Sequence, residues 1–291
     1  MRAARILNEN NEESFILVKN NLAIARDEII DQTELDLPGR LKDFLLTEFM
    51  NKEADKLRNL KFKSNVKDFH LLTPIPEPAK IICLNFNYND QDNWIRFGKA
   101  HPKEPIFYLK PRTTLTGPYD DIICPRFITQ LDFEGELVVV IGKCGKNISD
   151  DDALDHVLGY MIINDVSARD IQYKDIQVSR SKSFDSFGPC GPWITTKDEI
   201  KDPNNLLIST KVNGEIRQNS STANMVLKVD EVISKLSKVM TLETGDLIAT
   251  GTPMGTILSS GGKKKFLQTG DKVEIELEDL GKIENRIVFV D

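Results

Sequence analysis

Short runs of apolar and β-branched residues recur along this chain, and they predict a protein built mainly of β-strands. Residues 138–141 read Val-Val-Val-Ile without a polar position, which is typical of a strand buried on both faces. Residues 272–277 instead alternate polar and apolar side chains, as expected for a strand with one solvated face. The other predicted strands cover residues 5–7, 14–18, 22–24, 80–84, 105–110, 122–125, 159–164, 246–250 and 287–290.

Helical spacing of apolar residues occurs in fewer places. Residues 41–60 follow it after Pro38 and Gly39, and residues 229–240 have a well-defined apolar face. A short further helix is predicted over residues 149–158, where a serine can cap the first turn and the acids that follow complement the helix dipole. These few helices among many strands predict an α+β fold class that is rich in β-structure.

Prolines at positions 74, 76 and 78 predict an extended linker. We therefore predict a small N-terminal α/β domain over residues 1–72 and a larger domain over residues 73–291. The total length of 291 residues fits one main domain with a small appendage. The N-terminal part contains no candidate site, and its predicted role is packing or support of a dimer.

Charge and cysteine content narrow the classes of partner. A formal net charge of -7 and a pI near 5.2 argue against nucleic acid and acidic membrane surfaces. No apolar run approaches the ~20 residues of a membrane span, and the first residues resemble neither a signal peptide nor a transit peptide. The four cysteines are scattered, so neither a disulfide framework nor a zinc site is expected. We predict a cytoplasmic protein or, in a eukaryote, a mitochondrial one.

Alternating acids lead directly into the most apolar strand. In an extended chain Asp132, Glu134 and Glu136 share one face, and their mutual repulsion would be relieved by a divalent cation with oxygen ligands. Asp165 lies where the predicted strand over residues 159–164 meets a loop, and it could complete the set. The alternative is a solvated strand end whose charges prevent edge-to-edge aggregation.

Five motifs carry a resemblance to a known family. They are D-F-E-G-E-L at 132–137, N-D-V-S-A-R-D-I-Q at 164–172, K-S-F-D at 182–185, V-N-G-E at 212–215 and T-G-T-P-M-G at 250–255. In their order and spacing, from about residue 76 onward, the chain resembles the fumarylacetoacetate hydrolase family. The resemblance implies a C-terminal mixed β-roll, a homodimer, and Mg²⁺ or Mn²⁺ held through the positions of Glu134, Glu136 and Asp165.

The resemblance also implies a substrate class, namely small 2-oxo or 2,4-dioxo acids. A divalent cation would polarise the keto oxygen and stabilise an enolate. Lys182 could hold a carboxylate or, with its pKa lowered beside the metal, carry a proton, and Gln172 could orient water or a substrate oxygen. Arg169 is predicted either to clamp a second carboxylate or to be a structural ion-pair partner.

Further substrate contacts are predicted in two loops. Thr252 could donate a hydrogen bond to a carboxylate, and Gly251 would allow the backbone to approach the substrate closely. Tyr88, in the segment N-Y-N-D, is the third of these predicted contacts.

One departure from the family pattern affects the predicted reaction. Members that hydrolyse or decarboxylate carry a His and a Glu three residues later, just after this N-Y-x-D segment, whereas Gln91 and Trp94 stand here. Neither can act as a base near neutral pH, although His101 lies further along the same loop. The departure favours enolisation, which needs only the cation and a proton carrier.

Three functions follow from this reading of the sequence. The favoured one is keto-enol tautomerisation of oxaloacetate by a divalent-metal-dependent enzyme. The second is C–C hydrolysis or decarboxylation of acylpyruvate, fumarylpyruvate or oxaloacetate, with water activated by His101 or at the metal. The third is a catalytically impaired family member that only binds metal.

Overall fold

The strands of this protein form two sheets and a short ribbon. The computed structural model describes residues 1–46, 56–57, 59–89, 101–175, 177–260 and 265–291. The strands are β1 (Arg2–Leu7), β2 (Glu13–Lys19), β3 (Leu22–Ala25), β4 (Ser64–Asn65), β5 (Leu71–Leu72), β6 (Ile81–Asn85), β7 (Ile106–Leu109), β8 (Leu115–Thr116), β9 (Ile122–Pro125), β10 (Leu131–Asp132), β11 (Gly135–Ile141), β12 (Val157–Asn164), β13 (Ser167–Ala168), β14 (Gly188–Thr196), β15 (Leu207–Val212), β16 (Glu215–Ser221), β17 (Leu247–Ala249), β18 (Lys272–Leu277) and β19 (Gly281–Val290).

Helices are short and few among the described residues. The α-helices are α1 (Arg26–Thr33), α2 (Leu41–Leu46), α3 (Arg169–Gln172) and α4 (Val229–Val239). Turns of 3-10 helix cover Val66–Asp68, Arg112–Thr114, Ala153–His156, Ser179–Lys182, Lys197–Glu199 and Thr222–Asn224. The predicted strand-rich α+β class is confirmed.

The larger sheet curls into a roll. Its strand order is β4-β3-β2-β1-β14-β12-β11-β17-β6-β7, with β5 beside β1 and β8 beside β14. Strand β7 lies at one end of this order, yet the chain returns at once through β8 to pair in parallel with β14, where Gly188 faces Leu115. The end of β7 is thereby brought close to the ends of β12 and β14.

The second sheet has the order β16-β15-β18-β19-β9 and packs against one face of the roll. Alternate residues of β11 lie in different cores, because Leu137 and Val139 pack with the second sheet and α4 while Val138 and Val140 pack with the N-terminal strands. Burial on both faces explains why residues 138–141 contain no polar position.

The N-terminal strands extend the larger sheet across the predicted domain boundary. Strand β1 pairs antiparallel with β14, where Arg2 faces Thr195 and Ala3 faces Ile194. Phe15 and Ile24 share a core with β11 and β12. The division into residues 1–72 and 73–291 stays a prediction.

Several local predictions differ from the structure. The helix predicted over residues 149–158 is limited to one 3-10 turn, Ala153–His156, because pairing with β11 and β14 draws the following residues into β12. The helix predicted over residues 41–60 is observed as Leu41–Leu46, and much of the rest lies outside the described residues.

Several elements were missed, among them helix α1 and strands β14, β15 and β16. Helix α1 buries only Ile29, so it has little apolar periodicity, although its acidic first turn is a start signal. Strand β14 contains Pro189 and Pro192, residues that argue against an interior strand, yet β14 lies between β1 and β12.

Strand β1 of the predicted N-terminal domain pairs with β14 of the predicted larger domain. We therefore expect the described fold to unfold in one cooperative transition. Phe15 is fully buried and stacks on Phe44 with ring centroids 4.5 Å apart. Replacing it (Phe15→Ala) should lower the free energy of unfolding by about 3–5 kcal/mol. In a Trp94→Phe background, the fluorescence of Trp193 in β14 should report the same loss as far-ultraviolet circular dichroism in a urea titration.

Leu7→Ala is the matched control, because Leu7 also lies among the N-terminal strands but is 43% exposed. That variant should stay within about 0.5 kcal/mol of the natural chain. Two separate transitions, with Trp193 unaffected by Phe15→Ala, would instead establish residues 1–72 as an independent unit.

Candidate metal centre

Strand pairing brings three carboxylates together at one end of the roll. Strands β11 and β12 pair antiparallel with Gly135 opposite Asn164, so the start of one strand adjoins the end of the other. Glu134 precedes β11, Glu136 is its second residue, and Asp165 follows β12 and donates its backbone N–H to the Glu134 carbonyl at 2.8 Å. One ligand oxygen from each of the three carboxylates lies within 4.8 Å of the others.

Asp132 does not join this group, so the expected row of three acids on one strand face is wrong. Strand β10 ends at Asp132, β11 begins at Gly135, and Phe133 and Glu134 interrupt the strand between them. The side chain of Asp132 instead meets Arg169 and the backbone of residues 257–258.

Glu136 gives the clearest indication that these residues suit a cation. Its side chain is almost fully buried, and Oε2 accepts the backbone N–H of Gly251 at 2.8 Å. Oε1 is buried and has no hydrogen-bond partner among the described residues. Burial, together with the charges of Asp165 and Glu134, raises the pKa of Glu136 well above its ordinary value. A hard divalent cation would satisfy Oε1 and relieve that repulsion, so these residues fit the implied metal.

Asp165 is surrounded by donors, two of which sequence reasoning missed. Lys110 Nζ lies 2.7 Å from Oδ1, Lys182 Nζ lies 2.8 Å from Oδ2, and the Tyr108 hydroxyl also donates to Oδ2. Burial alone would raise the pKa of Asp165, but the charges of Lys110 and Lys182 outweigh it and lower that pKa. A lysine as the last residue of the otherwise apolar strand predicted over residues 105–110 was the available signal for Lys110.

Lys182 bridges two of the three carboxylates. Its Nζ lies 2.5 Å from Glu134 Oε2 and 2.8 Å from Asp165 Oδ2, and it also donates to the Asp165 carbonyl at 3.2 Å. Burial would lower the pKa of Lys182, but the charges of Asp165 and Glu134 raise it above the ordinary value. Without a metal, Lys182 is therefore a protonated, buried ammonium group, and the lowered pKa expected beside a bound metal stays a prediction.

The geometry of Arg169 fits the ion-pair alternative. Its Nε donates to Asp132 Oδ2 at 2.9 Å, Nη2 to Glu134 Oε1 at 2.6 Å, and Nη1 to Gln172 Oε1 at 2.8 Å. Each nitrogen of this buried guanidinium is thus engaged within the protein. Its predicted role as a clamp for a substrate carboxylate stays a prediction, as does the role of Gln172.

The predicted substrate-binding loop adjoins the same strand. Gly251 has a φ of +91° and donates to Glu136, and the Thr252 hydroxyl donates to the Gly135 carbonyl at 2.9 Å. Tyr88 is buried and forms a β-bridge with Met225. Gln91 and Trp94 lie outside the described residues.

The geometry agrees with comparisons to known proteins. Residues 80–288 match the family model described as fumarylacetoacetate (FAA) hydrolase C-terminal. The chain belongs to this family. The predicted family membership is confirmed, and so is the prediction of an enzyme, because named members include isomerases, hydrolases and tautomerases.

Three relatives show how much of the chain the similarity covers. Oxaloacetate tautomerase YisK of Bacillus subtilis is 42% identical over 83% of this chain and 80% of its own length. Oxaloacetate tautomerase fahd2, mitochondrial, of Xenopus laevis is 42% identical over 89% of this chain and 82% of its own length. A solved structure is also similar, the crystal structure of maleylpyruvate hydrolase from Sphingobium sp. SYK-6 in complex with manganese (II) ion and pyruvate. The match covers 100% of this chain and 100% of that chain, with a TM-score of 0.79 and 29% sequence identity.

Neither a membrane-spanning helix nor a reactive cysteine is evident among the described residues. In the part of the chain that the structure describes, no helix has the length and apolar character that crossing a bilayer requires. All four cysteines are free, and three of them are buried. Burial raises the pKa of the Cys190 thiol to about 12, which does not favour a nucleophilic role.

The raised pKa of Glu136 predicts a pH-dependent cost in the metal-free protein. The folded state holds a proton that the unfolded chain releases near pH 4.5, so this carboxyl makes the fold progressively less stable as pH rises from there towards the folded-state pKa. Glu136→Gln should therefore be more stable than the natural chain at pH 8 without metal. It should also lose the stabilisation by Mg²⁺, about 2.7 kcal/mol at a hundredfold excess over Kd.

Urea titrations at pH 5 and pH 8, with and without Mg²⁺, measure both effects. Glu9→Gln removes an exposed carboxylate and should change neither quantity. Equal stability of Glu136→Gln and the natural chain at pH 8 without metal would contradict the electrostatic account.

Proposed function

We propose that this protein is a Mg²⁺- or Mn²⁺-dependent enzyme that interconverts the keto and enol forms of a small 2-oxo acid, with oxaloacetate as the favoured substrate. The observation that carries the proposal is the contact of Lys182 Nζ with both Glu134 and Asp165. This contact puts a proton donor beside the carboxylates that would hold the cation. Two relatives of the chain are named oxaloacetate tautomerases.

The residues divide between metal binding and proton transfer. Glu134, Glu136 and Asp165 would hold the cation, which supplies a Lewis acid that polarises a keto oxygen and stabilises the negative charge developing there. Lys182 would deliver or remove the proton at the carbon atom next to the carbonyl. Tautomerisation needs no water nucleophile, so this set is sufficient for it.

The charge of the buried cluster supports an anionic substrate. Four carboxylates belong to it, those of Asp132, Glu134, Glu136 and Asp165, and three cations face them, those of Lys110, Arg169 and Lys182. With every group ionised the cluster has a formal charge of −1, and a divalent cation changes this to +1. The loaded site would then attract the carboxylate of a 2-oxo acid.

Lys110 and Tyr108 would stabilise the charged form of Asp165. Both donate to its carboxylate from the end of β7, and the side chains of Lys110 and Asp165 are almost entirely buried. Lys110, Lys182 and the Tyr108 hydroxyl together fix the orientation of the Asp165 carboxylate before the divalent ion binds, which reduces the reorganisation that metal binding requires.

The choice of metal, the assembly and the compartment are finer proposals. Oxygen ligands suit Mg²⁺ and Mn²⁺ alike, and the Sphingobium relative is a manganese complex. We propose a homodimer and a cytoplasmic location, or a mitochondrial location in a eukaryote. The name of the Xenopus relative includes the word mitochondrial.

Hydrolysis of a 2,4-dioxo acid is the second candidate function. It is favoured by the similarity to a maleylpyruvate hydrolase and by a buried Nδ1 of His101 that has no hydrogen-bond partner among the described residues. Near His101, Glu104 pairs with Lys235 of α4 at 3.1 Å. Within the described residues, no hydrogen bond or ion pair joins His101 to the three carboxylates, so tautomerisation remains the better supported reaction.

Loss of the proton carrier should slow the tautomerase reaction strongly. The rate of enol-oxaloacetate loss, followed by ultraviolet absorbance with Mg²⁺, should fall 10²- to 10⁴-fold in Lys182→Met, the range typical of a positioned acid or base. Glu134→Ala should remove the dependence of the rate on Mg²⁺. Lys197→Met is the matched control, because Lys197 is a half-exposed lysine that pairs with Asp155.

Two outcomes would redirect the proposal. If the natural chain is no faster than buffer with Mg²⁺, the protein is not an oxaloacetate tautomerase. If the natural chain consumes an acylpyruvate, and His101→Gln abolishes only that activity, hydrolysis becomes the assigned reaction.

A further inference from the structure

Asp132 is a buried carboxylate whose two oxygens are fully used within the protein. Oδ1 accepts the backbone N–H groups of Phe133 and Ile257, each at 2.9 Å. Oδ2 accepts the backbone N–H of Leu258 at 3.0 Å and Nε of Arg169 at 2.9 Å. Four donors around one carboxylate fix its position and leave no place for a metal.

Through Arg169, Asp132 reaches a residue of the metal centre. The same guanidinium that binds Asp132 donates Nη2 to Glu134 Oε1 at 2.6 Å, while Glu134 Oε2 meets Lys182. The planar fork of an arginine holds two carboxylates at a fixed separation, which a lysine ammonium cannot do. The orientation of Glu134 therefore depends on where Asp132 holds Arg169.

Asp132 also anchors the segment that begins with the T-G-T-P motif. Gly251 N–H binds Glu136 and the Thr252 hydroxyl binds the Gly135 carbonyl, while the other end of the segment is held by Asp132. Between these anchors, a Cβ on Gly255 would lie 1.9 Å from the Arg217 carbonyl oxygen. The backbone of residues 251–258 is thus fixed against the stretch that carries the carboxylates.

We propose that Asp132 is a positioning residue, which through Arg169 sets the orientation of the metal ligand Glu134 and at the same time holds the segment with Gly251 and Thr252 in place. The alternating acids then have different tasks, since Glu134 and Glu136 face the cation and Asp132 aligns the residues around it. The inference rests on the metal centre proposed above, but it does not depend on which reaction occurs there.

Asp246 offers a matched control in the same chain. It is fully buried, accepts the backbone N–H groups of Lys80 at 2.9 Å and Glu243 at 2.7 Å, and pairs with Lys80 Nζ at 2.8 Å. It precedes β17, whereas Gly251 follows that strand. Asp246→Asn therefore removes a similar buried charge away from the three carboxylates.

Binding of Mn²⁺ alone, followed by electron paramagnetic resonance of the free ion, tests the proposal without substrate. Asp132→Asn puts an amide nitrogen against donors, so it should weaken Mn²⁺ binding 10- to 100-fold, the usual effect of misplacing a ligand through its partner. Arg169→Lys keeps the positive charge but loses the fork, and it should weaken binding to a similar extent. Asp246→Asn should lower the melting temperature and leave the Mn²⁺ affinity unchanged.

The two variants separate positioning from charge. If Asp132→Asn weakens binding and Arg169→Lys does not, the effect is electrostatic and the proposal is wrong. If Asp132→Asn folds and binds Mn²⁺ as the natural chain does, the proposal is also wrong. Should Asp132→Asn fail to fold, Arg169→Lys alone decides, because unchanged Mn²⁺ affinity in that variant contradicts the role assigned to the fork.

Activity measurements keep this inference apart from the proposed reaction. If the natural chain binds Mn²⁺ and is inactive on oxaloacetate, the reaction is wrong while the positioning role is still tested by affinity. If the natural chain is active, Asp132→Asn should raise the KM for substrate as well, because the Gly251 segment shifts.

Discussion

Repulsion among three closely spaced carboxylates, two of them buried, is the constraint around which this structure is arranged. Glu134, Glu136 and Asp165 bring ligand oxygens within 4.8 Å of one another at a place where water screens little. Such a group is stable only if cations or protons face it. Lys182 and Lys110 face Asp165, Arg169 and Lys182 face Glu134, and no cation makes an ion pair with Glu136 among the described residues. Oε1 of Glu136, which has no hydrogen-bond partner among the described residues, thus indicates where a divalent ion would bind.

The fold makes this concentration of charge possible by holding both strand ends rigidly. Strands β11 and β12 pair along seven registered positions and are buried between two apolar cores. Their side chains can neither exchange faces nor slip in register without exposing apolar surface. The energy that holds the carboxylates together therefore comes from burial far from the site, and not from contacts among the carboxylates themselves.

Local patterns in the sequence carried much of this information. The unbroken run over residues 138–141 identified the central strand, and the two acidic strand ends identified Glu134, Glu136 and Asp165 as neighbours. Helix α4 also matches its predicted bounds to within one residue. These features depend on periodicity and on the pairing of two strands that are close in the sequence.

Contacts made by closure of the roll could not be predicted in the same way. Tyr108 and Lys110 meet Asp165 because the chain continues from β7 into β8, which pairs with β14. Strand β14 was not predicted, because its prolines argue against a strand. Asp132 was misplaced for a different reason. Alternation assumes a continuous strand, and the interruption at residues 133–134 turns this one side chain to a different environment.

The surroundings of Arg169 and Lys182 explain why these two cations are not equivalent in the site. Arg169 is fixed by three partners, two of them carboxylates, and moving it towards a substrate would leave Asp132 buried without its cation. Among the described residues, the hydrogen bonds of Lys182 Nζ go to Glu134 and Asp165, the residues that a divalent ion would itself neutralise. A bound cation would therefore weaken the hold on Lys182 far more than the hold on Arg169. We therefore propose that Lys182 is the group that exchanges a proton with a substrate, and that Arg169 belongs to the framework that aligns the site.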